Sequence, residues 1–282
     1  MSGLRLRSFT DADLSAVAAF GAAAFGFDTT DAAVAARWRA RIAHPLSTDP
    51  EGAFVAELGK DIVGVAMGIA RERLWCLSLL AVAPSAQSGG AGRALMERAL
   101  TYASATTDVG LIPSSSDPRA LRLCALSGFD LHPTFEASGI LDRGALPRPT
   151  GSIRAGESAD LEALEAISRA VRGASHTREI EFALGLGARL LLLGDRGFAV
   201  VYPGRAVWLL VALDDDAAAQ LLWASLALAD TERPAVRWIT AAQQWAIEVV
   251  VRAGLRLVPY GALCVRGNPG TLAPYLPSPP FA

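Results

Sequence analysis

Leu77-Ser-Leu-Leu-Ala-Val-Ala-Pro84, continued after two residues by Gln87-Ser-Gly-Gly-Ala-Gly-Arg-Ala-Leu-Met96, is the stretch whose reading decides the fold. An apolar run stops at a proline and gives way to a glycine-rich helix start, which predicts a strand, an anion-binding loop and a helix in that order. Gly89, Gly90 and Gly92 free the backbone to bring several N–H groups close to one anion, and the helix that begins there adds its positive end. The spacing is not that of a dinucleotide fingerprint, because Leu95 stands where G-x-G-x-x-G needs its third glycine. It is not a Walker loop either, since no Gly-Lys-Ser/Thr follows.

Outward from this stretch the chain reads as one plan used twice. A short alternating strand at Leu4-Arg-Leu-Arg-Ser8 leads to an Asp-capped helix through Phe25, and a hairpin over Ala53–Leu58 and Ile62–Arg71 turns at Gly59-Lys-Asp61. The strand Leu74–Val82, a helix over Gly90–Thr106, a buried strand Val109–Ile112 and a helix opening at Asp117-Pro-Arg119 follow. Arg7 and Ala12-Asp-Leu14 match Arg154 and Ala159-Asp-Leu161 at a constant offset. Ala120-Leu-Arg-Leu-Cys-Ala-Leu-Ser-Gly-Phe-Asp-Leu-His-Pro133 matches Ala246-Ile-Glu-Val-Val-Val-Arg-Ala-Gly-Leu-Arg-Leu-Val-Pro259 without a gap. Both are a helix ended by glycine and then a strand reaching a proline, the signature of a duplicated domain joined through Leu146-Pro-Arg-Pro-Thr-Gly151.

The loop resembles motif A of the GCN5-related N-acetyltransferases (GNAT), which reads Gln/Arg-x-x-Gly-x-Gly/Ala after a strand ending in hydrophobic-x-Val-x-Pro. Here Gln87, Gly90 and Gly92 follow Leu80-Ala-Val82 and Pro84. The family's motif B, Asn-x-x-Ala-x-x-Leu-Tyr-x-Lys-x-Gly-Phe, is met at Ala120, Leu123, Gly128 and Phe129, while Asp117, Cys124 and Leu126 replace its Asn, Tyr and Lys. The resemblance implies an α/β (α+β) fold of two tandem GNAT-fold domains, each a mixed, mostly antiparallel twisted sheet flanked by helices. Residues 1–146 would form the domain with the acetyl-CoA-binding motif, and residues 151–282 a degenerate copy without the pyrophosphate loop.

The implied activity is transfer of an acetyl group from acetyl-CoA to a primary amine, favoured as that of a small molecule, by direct attack in a ternary complex. The same resemblance assigns the backbone N–H of Leu80 to the developing oxyanion and places Ala81 and Val82 along the pantetheine. Gln87, Ser88, Gly89, Gly90, Ala91, Gly92 and Arg93 would hold the pyrophosphate, with Asp117 on the cofactor side; Arg93 is equally readable as an exposed helix arginine. Where many relatives protonate the departing thiolate with a tyrosine, this chain offers the Cys124 thiol, which also reads as a buried apolar filler. Cys76 stands where some relatives carry a carboxylate base. Ser78, sharing the alternating face with Cys76 and Leu80, could order a water, and Glu72 and His132 are further base candidates with ordinary structural readings. These departures motivate an alternative: an acyl-CoA-binding sensor with weak or no turnover. A structural protein with an unused loop is the third reading.

In the second copy the strand Ala206–Leu213 is followed by Asp214-Asp-Asp-Ala-Ala-Ala-Gln-Leu221, with no glycine and three carboxylates at the helix start. Such a start caps itself and repels a pyrophosphate. Trp208, Trp223, Trp238 and Trp245 read there as core and packing residues rather than a substrate cage. That half is expected to pack on the first and to help form the acceptor cleft.

Composition bounds the rest. With 282 residues, 52% of them hydrophobic and 19% charged, the chain can fill two ordinary cores. A net charge of −2 with scattered arginines offers no nucleic-acid footprint. Cys76, Cys124 and Cys264 are widely spaced inside apolar segments, which suits reduced thiols and neither a disulfide framework nor a metal site. No leader or membrane-length apolar run is visible, so a cytoplasmic protein with a small-molecule partner is expected, as a monomer or homodimer. The tail Pro274-Tyr-Leu-Pro-Ser-Pro-Pro280 is extended enough to pack on a neighbouring surface.

Overall fold

The computed structural model describes residues 3–87, 89–147 and 153–282. Ser88 and positions 148–151 of the joining segment lie outside them. Two compact units are present, one of Met1–Ile112, Leu126–Gly128 and Pro280–Ala282, the other of Pro113–Ala125 and Phe129–Pro279.

The first unit runs β1 (Leu4–Ser8), α1 (Leu14–Phe25), α2 (Ala32–Thr48), β2 (Ala53–Leu58), β3 (Asp61–Arg71), β4 (Leu74–Val82), α3 (Ala91–Thr106) and the start of β5 (Val109–Ser114). Strands β1 to β4 form an antiparallel meander, and β5 joins β4 in parallel. Arg7 grips Asp13 at 2.7 Å and Asp13 accepts from the Thr10 N–H, so one carboxylate both starts the helical segment and ties it to β1. That grip and the Thr10 bonds hold the Asp13 carboxyl well below the usual range. Asp31 caps α2 by accepting from Ala33 and Val34. The apolar faces of α1 and α2, with Val17, Trp38, Ile42 and Leu46, bury Val55, Val65, Met67, Leu79 and Ala81 of the sheet. On β3, Gly64 has no side chain because a Cβ there would lie 2.8 Å from Leu95 of α3.

A buried ion pair links three of these elements. Asp49, just past α2, accepts from Arg71 Nη1 at 2.8 Å, the Ala70 N–H at 2.8 Å and the Tyr102 hydroxyl of α3 at 2.9 Å. Burial and the Asp49 charge push the Tyr102 phenol well above its ordinary value.

The second unit takes most of α4 (Pro118–Leu126) and all of β6 (Asp130–Ser138). It continues through β7 (Arg154–Gly156), α5 (Leu161–Arg172), α6 (Thr177–Gly185), β8 (Arg189–Leu193), β9 (Gly197–Val201) and β10 (Leu209–Ala212). Next come α7 (Asp215–Leu228), β11 (Ala235–Thr240), α8 (Gln244–Arg252), β12 (Arg256–Arg266) and the two-residue β13 (Tyr275–Leu276). The duplication is visible in detail. Arg154 grips Asp160 at 2.5 Å as Arg7 grips Asp13, and Gly128 and Gly254 adopt φ of 81° and 80° at matching helix ends. Yet β6 pairs antiparallel on one edge with β12 and on the other with β11, so the last strand of the first copy is built into the strands of the second. The repeats read along the chain and the compact units are therefore different partitions of it.

Asp214 caps α7 by accepting from Ala217 at 2.9 Å, and Arg196 binds both Asp214 and Asp216, so the acidic helix start is internally satisfied. The tail strand β13 pairs with β10 in the register Leu210↔Leu276 and Val211↔Tyr275. The extended tail thus packs on its own chain. Trp245 belongs to the apolar core of this unit and Trp223 packs against it. No helix among the described residues is long and apolar enough to cross a membrane.

His176 is wholly buried beside Ser168, Tyr275 and the charge of Arg172, with Glu179 also fully enclosed. Burial, and then Arg172, hold its pKa well below the ordinary value, so it is neutral in the fold. The unfolded chain takes up this proton below about pH 6.5 and the folded one does not, so stability falls as pH drops through that value. Between pH 7.5 and 5.5 this group is expected to cost on the order of 1 kcal/mol, read as a fall in urea midpoint that His176→Gln removes.

Candidate functional site

Strand β4 is the centre of the site. Opposite β3 its register slips between Leu77 and Leu79, leaving Ser78 as the bulged residue. This breaks the alternation expected to join Cys76, Ser78 and Leu80: beyond the bulge Leu79 and Ala81 turn into the α1–α2 core. The Ala83 N–H bonds the Val63 carbonyl, and the register from there back is regular, with Gly64↔Val82, Val65↔Ala81 and Ala66↔Leu80. Antiparallel alternation then sends the Ala81 N–H to β3 and the Leu80 and Val82 N–H groups to the opposite edge. On that edge β5 pairs only Leu74 to Cys76 with Val109 to Leu111. Among the described residues the remainder of that β4 edge has no strand partner, so the two strands open beside Leu80 and Val82.

The loop at the open end is held by backbone geometry. Pro84–Ala86 makes one tight helical turn, Gln87 Nε2 donates to the Val82 carbonyl at 3.0 Å, and Gly90 enters α3 at φ 88°. That left-handed value is the one a glycine takes freely. Ala91, Leu95, Met96, Ala99 and Ala103 bury one face of α3, which fixes its N-terminus at the loop. Gly89, Gly90, Ala91 and Gly92 are thus gathered at the positive end of a helix anchored on β3 and β4. Arg93 has a side chain 79% exposed and bonds Glu97 along the helix at 2.7 Å. Ser88 lies outside the described residues.

Facing the bulge from α2, Arg41 donates to the Ser78 carbonyl and lies 5.0 Å from the Trp38 ring centroid. The Ser78 hydroxyl is buried and meets no hydrogen-bond partner among the described residues. Phe281 and Ala282 are both fully buried in this unit: the Phe281 ring meets His44 of α2 edge-on at 5.3 Å, and the Cys76 thiol donates to the Ala282 carbonyl. Neither Arg41 nor the last two residues was singled out from sequence. Two apolar residues closing a proline-rich tail were the available signal.

The remaining candidates have structural partners of their own or sit in a turn. Glu72 is an exposed turn residue with φ 52° between β3 and β4. Cys124, Asp117 and His132 belong to the second unit. Asp117 caps α4 by accepting from the Arg119 N–H at 2.8 Å and pairs with the Arg119 guanidinium. The buried Cys124 thiol is engaged by Cys264 and Ser114; its contact, followed by burial, pushes the Cys264 thiol well above the usual range. In the second copy the edge of β10 that corresponds to the open edge of β4 is taken by β13.

Residues 20–129 match the model of the acetyltransferase (GNAT) family. Residues 20–129 are thus similar to a GNAT-family domain. The match runs from α1 through the glycine loop to Phe129, the end of the GNAT motif B read from sequence. Among solved structures, a candidate acetyltransferase from Pyrococcus horikoshii superposes with TM-score 0.84 at 17% identity, over 100% of this chain and 97% of its own. A tandem GNAT protein from the clavulanic acid biosynthesis pathway superposes with TM-score 0.63 at 14% identity, over 93% and 98%. A GCN5-related N-acetyltransferase from Sphaerobacter thermophilus gives 0.59 at 16%, over 96% and 98%. At these identities the likeness establishes the fold, which is that of tandem GNAT proteins. No curated protein matches the chain in sequence. GNAT proteins are typically acyltransferases and bind acyl-CoA.

Proposed function

We propose that this chain is an N-acetyltransferase that takes acetyl-CoA in its first half and acetylates a primary amine of a small molecule. The observation that carries the reading is the open edge of β4, where the Leu80 and Val82 N–H groups face away from β3 next to the glycine loop and the α3 N-terminus. The residues present fit the cosubstrate: Val82 lies on the open edge for a pantetheine amide, whereas Ala81, also expected there, bonds β3 instead, and Gln87, Gly89, Gly90, Ala91 and Gly92 would hold the pyrophosphate. Acetyl-CoA supplies an activated acetyl thioester. The Leu80 N–H would stabilise the oxyanion formed when the amine nitrogen bonds to the carbonyl carbon; as the carbon–sulfur bond breaks, coenzyme A would leave as a thiolate and take up, through water, the proton that the nitrogen loses. The Ser78 hydroxyl, buried at the bulge and without a partner among the described residues, is suited to accept a hydrogen bond from the incoming amine or its water. The second half would not hold coenzyme A, since its acidic helix start is self-capped and β13 occupies the edge of β10.

Two observations favour the sensor reading: the Cys76 thiol, standing where some relatives carry a base, donates to the Ala282 carbonyl, and Cys124 is engaged by Cys264. Thiol release measured with acetyl-CoA across a panel of small primary amines separates the two. Amine-dependent release supports the enzyme, and tight binding with none across the panel overturns it.

A further inference from the structure

The second unit holds a cavity of about 260 Å³ lined by Arg205, Arg233, Arg237, Trp208 and Trp238, with Leu276 and the neighbouring prolines of the tail behind them. It was not anticipated from sequence, where both tryptophans read as core. We infer that this cavity is a binding site for a small oxyanion, a carboxylate or a phosphate, carried on a flat ring.

Three arginines line it, and their partners are unequal. Arg237 is committed to Glu136 of β6 and lies 5.2 Å from the Tyr260 ring centroid. Arg205 is half-buried, and among the described residues its side chain meets no carboxylate and no hydrogen-bond acceptor. The titratable groups acting on it are Arg237, Tyr202 and Tyr260, and burial with the Arg237 charge lowers its pKa. Arg233, at the exposed mouth, has no ion pair among the described residues either. Asp230, beside this loop, accepts from the Gly204 N–H at 2.9 Å and does not line the cavity. Taking a guanidinium out of water beside a second cation is unfavourable unless an anion completes the set, and its planar fork matches the two oxygens of a carboxylate or phosphate.

The walls supply the second half of the argument. Trp208 stacks on Tyr202 at 5.8 Å, and Trp238 meets Tyr260 edge-on at 5.3 Å, which stiffens both indoles. Trp238 sits at φ 54° where β11 slips register between Val236 and Ile239, and its Nε1 donates to the Ser114 carbonyl at 3.2 Å. A bulky residue in the left-handed region is a strained placement, and strain of this kind gathers at ligand sites. The volume lies just under the range of about 300–1,000 Å³ typical of drug-sized sites, so the fitting ligand is a small metabolite with one ring.

Tryptophan emission of the full chain, titrated with benzoate, phenyl phosphate and inorganic phosphate at low ionic strength, tests this. The expected result is saturable change with benzoate or phenyl phosphate, weaker change with inorganic phosphate, and at least tenfold weaker binding in Arg205→Gln. Because Arg205 meets no acid, Arg205→Gln is expected to melt no lower than the parent without ligand. Arg233→Gln, at an exposed position, should weaken binding several-fold and serves if the first variant does not fold. No saturable change with either ring compound, or binding unaltered in both variants, overturns the assignment. Acetyl-CoA is not expected to displace the ring compounds, which keeps this test separate from the site on β4.

Discussion

Gly92→Glu is expected to lower acetyl-CoA affinity at least a hundredfold, about 2.7 kcal/mol, while the melting temperature is kept or rises. Gly92 lies in the first turn of α3 and outside the left-handed region, so a side chain there meets no backbone strain. Replacing a helical glycine gains about 0.5–1 kcal/mol, and a carboxylate in the first turn gains a further 0.3–1 kcal/mol at most from the helix dipole. The same carboxylate takes the place of the anion that the loop is proposed to bind, and repels it. Stability and binding are therefore predicted to move in opposite directions, an outcome that general misfolding cannot mimic. Calorimetric titration alongside a thermal melt checks it, and undiminished affinity would remove the pyrophosphate from this loop.

Asp49→Ala is expected to destabilise the first unit by roughly 3–5 kcal/mol, because it leaves the buried Arg71 charge without its carboxylate. The Ala70 N–H and the Tyr102 hydroxyl lose their acceptor in the same step. Urea unfolding measures the loss, and the double variant Asp49→Ala/Arg71→Met should recover much of it by removing the stranded charge. A loss below about 1 kcal/mol for the single variant would mean that water reaches and solvates Arg71. The pair matters to the site because it joins the end of α2, strand β3 and helix α3, the elements on either side of β4.

The elements around the loop were legible because each carries its own punctuation. Pro84 ends β4, Gly90 opens α3, Gly128 and Gly254 end matching helices, and the hairpin turn falls at Gly59–Lys60 between β2 and β3. The Arg7–Asp13 and Arg154–Asp160 pairs explain why that spacing recurs: each arginine fixes the aspartate that starts the helix after the first strand. What was not legible depends on pairing between distant segments. Nothing local in Asp130–Ser138 says that it pairs with β11 and β12, since strand partners are chosen by three-dimensional packing rather than by sequence distance. The bulge at Ser78 shifts the side-chain alternation by one residue, and an insertion in a ladder has no signature when the bulged residue is not a glycine. The tail read as a packing segment, but its two destinations, β13 on the edge of β10 and Phe281 against His44, follow from cavities that exist only after folding. Arg205 escaped notice because an arginine draws attention only when its expected acid is seen to be missing.

The central claim is that one half of a duplicated chain keeps the coenzyme A site and the other has closed it. Isothermal titration of the full chain with acetyl-CoA tests this most directly. The account predicts one molecule bound per chain, lost in Gly92→Glu and unaffected by Asp216→Ala in the second copy; no binding, or two molecules per chain, would contradict it.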